Sequence, residues 1–111
     1  MKSIATLNQN LADAASVSTS WGVTGQVDNS FPYLVGTISS DKIVTVTLEQ
    51  SHDGSAVAFT EVISNVPGNT TMAANTKAGF RFARVAPYFR ITIANASGAV
   101  AAIKANLYGS E

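Results

Sequence analysis

The strongest constraint in this sequence is an alternation with a period of two. In residues 43–51, Val44, Val46 and Leu48 are interleaved with Thr45, Thr47 and Glu49. In residues 88–95, Phe89, Ile91 and Ile93 alternate with Tyr88, Arg90 and Thr92. In residues 100–108, Ala101, Ile103, Ala105 and Leu107 hold every second place. Successive side chains of a strand point to opposite faces, so each run makes one apolar and one polar side.

Weaker runs of the same kind occupy residues 16–24, 31–39, 57–64 and 78–85, with Phe80 and Phe82 expected on one side. Breakers separate them at 25–30, 39–42, 66–69 (Val-Pro-Gly-Asn) and Ala86-Pro87. Proline has no N–H to give to a ladder, so Pro87 ends a strand. A turn at 95–98 predicts an antiparallel hairpin between the last two strong runs. Residues 7–15 are the only helical candidate, and Asn8, Asn10 and the short length oppose it. The N-terminal 15 residues are therefore expected as an extended arm or edge strand, and 16–111 as the folded body. Seven or eight short strands without alternating helices imply an all-β fold, a single antiparallel β-sandwich.

The chain has 111 residues, enough for one domain with its own core. Its 46% hydrophobic content opposes disorder. No cysteine is present, which removes disulfides and thiolate metal sites. Charged residues are only 13%, about half the usual share, and seven cations balance seven anions. The cations are scattered along the sequence, so the positive stripe of a nucleic-acid binder is not expected. No secretory apolar run follows Met1-Lys2-Ser3-Ile4, and no stretch has the roughly 20 apolar residues of a membrane helix. A soluble protein without membrane or nucleic-acid partners is the expectation.

The stretch "LEQSHDGSAV" (48–57) places Glu49, Asp53 and the single histidine, His52, close together in sequence. Asp-Gly after a strand favours a reversal, because Gly takes positive φ freely and Asp bonds its own downstream backbone. Four extended residues separate Glu49 from Asp53 by about 13 Å, too far for paired carboxylate chemistry. A histidine without a nucleophile or orienting partner lacks the geometry of a catalytic base. The segment is read as a turn and the protein as a non-enzyme, with no catalytic residue and no cofactor.

Asp13, Asp28, Asp41 and Asp53 all sit beside turns, where Asp belongs. Their meeting at one end of a sandwich to bind calcium is the less favoured alternative, so no metal is expected. Asn69-Thr70-Thr71 and Asn95-Ala96-Ser97 match the glycosylation pattern by spacing alone. Three residues remain as binding candidates. Arg90 is read first as the cross-strand partner of Glu49 or Glu61, and second as an interface arginine beside Tyr88. Trp21 is read first as core. Its alternative is a sugar-stacking platform, with Tyr33, Tyr88 and Tyr108 as further aromatics.

Three stretches in order, "ISSDK" (38–42), "LEQSHDG" (48–54) and "APYFRITIAN" (86–95), resemble small β-sandwich proteins of tailed-bacteriophage virions. The resemblance spans about the C-terminal two-thirds of the chain. It departs after Asp-Gly, where relatives often carry an early aromatic and Phe59 comes five residues after Gly54. It implies a virion structural protein, best fitted as a capsid decoration (cement) protein. Such a protein has a jelly-roll-like domain, is often a homotrimer, and clamps neighbouring copies of the major capsid protein on the outer capsid surface. The alternatives are a tail, neck or fibre-associated component, or a carbohydrate-binding adhesion module.

Overall fold

The computed structural model describes residues 2–19, 21–23, 32–64 and 71–110. The turns expected at 25–30 and 66–69, Asp28, and the Asn69-Thr70 pair lie outside the described residues. Among the described residues every regular element is a strand: β1 (Lys2–Leu11), β2 (Ser16–Ser18), β3 (Gly22–Val23), β4 (Tyr33–Ser40), β5 (Thr45–Ser51), β6 (Phe59–Ile63), β7 (Thr76–Ala83), β8 (Tyr88–Ala94) and β9 (Ala101–Ser110). All pairings are antiparallel. Sheet A has the order β1-β9-β4-β7; sheet B runs β2-β8-β5-β6, with β3 also on β8.

The run expected at 16–24 is thus two short strands on one neighbour, β8. Taken as one broken strand, they leave eight strands in two four-stranded sheets among the described residues. The orders are first-eighth-third-sixth and second-seventh-fourth-fifth, the arrangement of a jelly roll. The all-β sandwich expected from alternation is what the structure shows.

The faces follow the parity of the sequence. Val46 and Leu48 of β5, Ile91 and Ile93 of β8, and Leu34 of β4 have no exposed surface. β9 alternates small and large residues inward, Ala101, Ile103, Ala105 and Leu107, and Phe80 and Phe82 of β7 pack against the same cluster. Gly36 on β4 is required by this packing. A Cβ there would fall on the Asn106 carbonyl oxygen and within 2.7 Å of the tip of Phe80.

The expected hairpin of the last two strands does not form. β8 lies in sheet B between β5 and β2, whereas β9 lies in sheet A between β1 and β4. Alternation identifies a strand's inward face and not its neighbour. At the crossing, Asn95 is buried, and its Nδ2 donates to the carbonyls of Leu11 (2.9 Å), Ala12 (3.2 Å) and Ala99 (2.8 Å). Its Oδ1 accepts from Ser97 N (3.1 Å) and Oγ (2.7 Å), and Gly98 takes φ 87°. An amide nitrogen so enclosed is no glycan acceptor in the folded chain.

The opposite end has a matching clamp. Gln50 is 2% exposed; its Oε1 accepts from Val85 N (2.8 Å) and Ala86 N (3.2 Å), and its Nε2 donates to Ala83 O (3.0 Å). This pins β5 to the segment where the chain passes from sheet A to sheet B. A buried amide left without partners would be destabilising, so each clamp depends on its complete set of bonds.

Candidate functional site on the outer face of sheet B

The outward positions of β5 and β8 are paired row by row: Thr47 with Thr92, Glu49 with Arg90, and Ser51 with Tyr88. Arg90 Nε donates to Glu49 Oε1 at 2.9 Å. Thr92 Oγ1 donates to the same oxygen at 2.5 Å. Since the Thr92 proton is committed there, Ser18 Oγ donates to Thr92 Oγ1, 2.8 Å away. The Arg90 guanidinium lies over the Trp21 ring, with Cζ 4.2 Å from the centroid. Trp21, just before β3, is therefore joined through Arg90, Glu49 and Thr92 to Ser18 in one chain of contacts that crosses two rows of β8, β5 and β2.

Of the two acidic partners expected for Arg90, the structure selects Glu49. Glu61 is paired with Leu48, on the opposite parity of the sheet. The side chains of Arg90 and Glu49 are 27% and 16% exposed. Trp21 is not in the core. It is half-buried on the outer face, and the expectation of a core tryptophan is corrected. The reason is the break between β2 and β3: Gly22 pairs with Phe89, which places its neighbour Trp21 beside Arg90. One face of the ring is covered by the guanidinium, which removes half of the stacking surface a sugar would use. Tyr88, in the next row, packs its ring against Gly54, where an added Cβ would lie 3.1 Å from it.

Residues 51–56 form a turn held from within. Ser51 Oγ accepts from Asp53 N (3.3 Å) and Gly54 N (3.0 Å) and donates to Asp53 Oδ1 (3.0 Å). Asp53 Oδ1 also accepts from Ser55 N (2.8 Å) and Ala56 N (3.0 Å), and Gly54 takes φ 77°. The Ala56 and Ser55 backbone bonds, then the Ser51 hydroxyl, favour the charged carboxylate and hold the Asp53 pKa below its ordinary 3.8. His52 is exposed and meets the edge of Phe59, ring centroids 5.6 Å apart. Glu49 and Asp53 thus serve different networks.

Nor do the turn aspartates converge. Asp13 Oδ1 accepts from Gly98 N (2.9 Å) and Asp41 Oδ1 from Ala102 N (2.8 Å), while Asp53 lies at the other end of β5. Among the described residues no three metal-ligating side chains gather.

Three of the cations scattered in the sequence share one face of the fold. Lys77 and Lys104 both pair with Ser39, and Arg81 pairs with Val35, all on the outer face of sheet A. Sequence spacing gave no sign of this, because the lysines belong to different strands on either side of β4.

Comparison with known proteins gives likeness of fold without likeness of sequence. No protein-family model and no curated protein matches the sequence. The structure of the PBSX exported protein XepA superposes with a TM-score of 0.72 at 16% identity, over 95% of this chain and 36% of that one. The chain therefore spans about a third of the length of XepA. A protein of Bacillus endospore appendages, described as a novel family of disulfide-linked pili, superposes with a TM-score of 0.52. Its identity is also 16%, over 100% of this chain and 92% of that one. At such identities the shared property is the two-sheet architecture.

Proposed function

We propose that this chain is a non-enzymatic structural protein of a phage particle, a decoration protein that binds the assembled capsid and bridges neighbouring capsid subunits. The observation that carries this reading is the preassembled row on sheet B. Tryptophan, tyrosine and arginine are the side chains most enriched at interface hot spots, and here Trp21, Tyr88 and Arg90 gather on one outer face. The Arg90–Glu49 bond exists before docking, so burying it does not strand a bare charge. The sandwich shared with an exported protein of phage PBSX and with an appendage protein supports a particle or surface setting.

A protein that binds the assembled shell better than its separated subunits shifts the equilibrium toward assembly. Joining copies into a homo-oligomer, a trimer in this proposal, raises the effective concentration of each further contact. The edge strand β6 offers a surface for that joining, with Phe59 43% and Val62 44% exposed. With no cysteine in the chain, cohesion between copies would be noncovalent, unlike the linkage named for the appendage pili.

The test is to heat shells with and without the bound protein. A raised disruption temperature is expected, and Trp21→Ala or Arg90→Ala should weaken shell binding about thirtyfold, the loss of one hot spot. Equal disruption temperatures would remove the reinforcing role. A handful of copies per particle would move the protein to the tail or neck.

A further inference from the structure

We infer that the outer face of sheet A is a binding trough for a linear acidic polysaccharide, a function beyond attachment to a particle. Three shallow depressions adjoin along β4, of about 300, 200 and 520 Å³. The first two share Thr37; the second and third share Ser39, Lys77 and Lys104. From Val35 to Ser40 they follow the strand for roughly 17 Å at 3.3 Å per residue. The concavity has a local cause. Gly79, paired with Thr37, presents no side chain, and a Cβ there would meet only the Gly36 carbonyl oxygen, at 3.8 Å.

The trough is graded along its length. At one end Tyr108 and Val35, paired in the row next to that of Thr37 and Gly79, line the first depression and give it an apolar floor. In the middle Asn106 and Thr37 lie side by side. At the far end Asn8, Lys104, Ser39 and Lys77 form one row across four strands. The two lysines are two strand spacings apart, about 10 Å. Both are exposed, and neither makes an ion pair among the described residues. Asp41 also borders this end, but its Oδ1 accepts from the Ala102 N–H.

This chemistry selects the occupant. Amides and hydroxyls match sugar hydroxyls in donor and acceptor count, an aromatic beside a glycine floor suits the apolar face of a sugar ring, and two separated ammonium groups suit carboxylates spaced along a chain. A nucleic acid would need more phosphate contacts and a row of stacking aromatics. The remaining cation of the face, Arg81, is drawn away, its Cζ 3.6 Å above the Tyr33 ring.

The test uses the whole chain and polygalacturonate, with dextran as the neutral comparator and polyphosphate as the polyanion comparator, in affinity electrophoresis and calorimetry. Binding to polygalacturonate is expected to weaken with added salt and to be absent for dextran. The Lys77→Gln/Lys104→Gln double variant should lose about tenfold in affinity, two exposed charge contacts. Gly79→Val, which fills the floor in open space on an edge strand, should also weaken binding while the circular dichroism stays that of the parent. No binding, equal affinity of the double variant, or equal binding of polyphosphate would each overturn the inference. Because shell docking is assigned to sheet B, Arg90→Ala should leave polygalacturonate binding intact, so the two proposals fail separately.

Discussion

The two outer faces of this sandwich handle charge in opposite ways. On sheet B the cation meets an anion in the facing row, and a threonine and a serine continue the chain of bonds. On sheet A Lys77 and Lys104 stand on either side of Ser39, without an acidic partner among the described residues. The first face has its charges and hydroxyls answered from within. The second holds unspent electrostatic attraction. A face that has already satisfied its charges suits broad contact with another protein, and one that has not suits capture of an anion.

The comparison is broken most completely from beneath. Gly36→Ala should cost about 3 kcal/mol in urea unfolding, because the added methyl meets backbone on one side and the Phe80 ring on the other. A cost below about 0.5 kcal/mol would show that sheet A is not tightly registered over Phe80. Next in size is the charge pair of sheet B. Glu49→Ala should cost about 1 kcal/mol, and a double-mutant cycle with Arg90→Met should return a coupling of about 0.5 kcal/mol, modest because both groups touch solvent. A coupling of zero would place the two faces in the same electrostatic class. The smallest effect belongs to the lysines. Lys77→Gln and Lys104→Gln should each change stability by less than about 0.5 kcal/mol. A larger loss would mean that these cations are structurally engaged, as Arg90 is.

Much of this was legible in the sequence. Parity alone placed Val44, Val46, Leu48, Phe89, Ile91 and Ile93 in the core, where they are buried. It also carried a signal for the two clamps. Gln50 continues the inward phase of Val46 and Leu48, and Asn95 that of Ile91 and Ile93. A polar side chain in an inward position at a strand end must find partners among nearby backbone groups.

What parity does not contain is adjacency between strands. That gap produced the expected hairpin of β8 with β9, and it concealed the row that brings Lys77 to Lys104. Trp21 was misplaced for a related reason. Apolar character says that a large ring wants cover, and here a guanidinium on the neighbouring strand provides it.

The pairing of β1 with β9, from Leu11 opposite Ala101 to Lys2 opposite Gly109, has a consequence for how the fold assembles. Among the described strands β1 has no other ladder neighbour, and the other seven strands lie between the two in sequence. Closing so long a stretch of chain makes this pairing slow, and until β9 docks, the backbone groups of β1 stay unanswered. Sheet A therefore becomes whole only when its most distant partners meet, and a variant that keeps β9 from docking would carry a sticky, unmated strand.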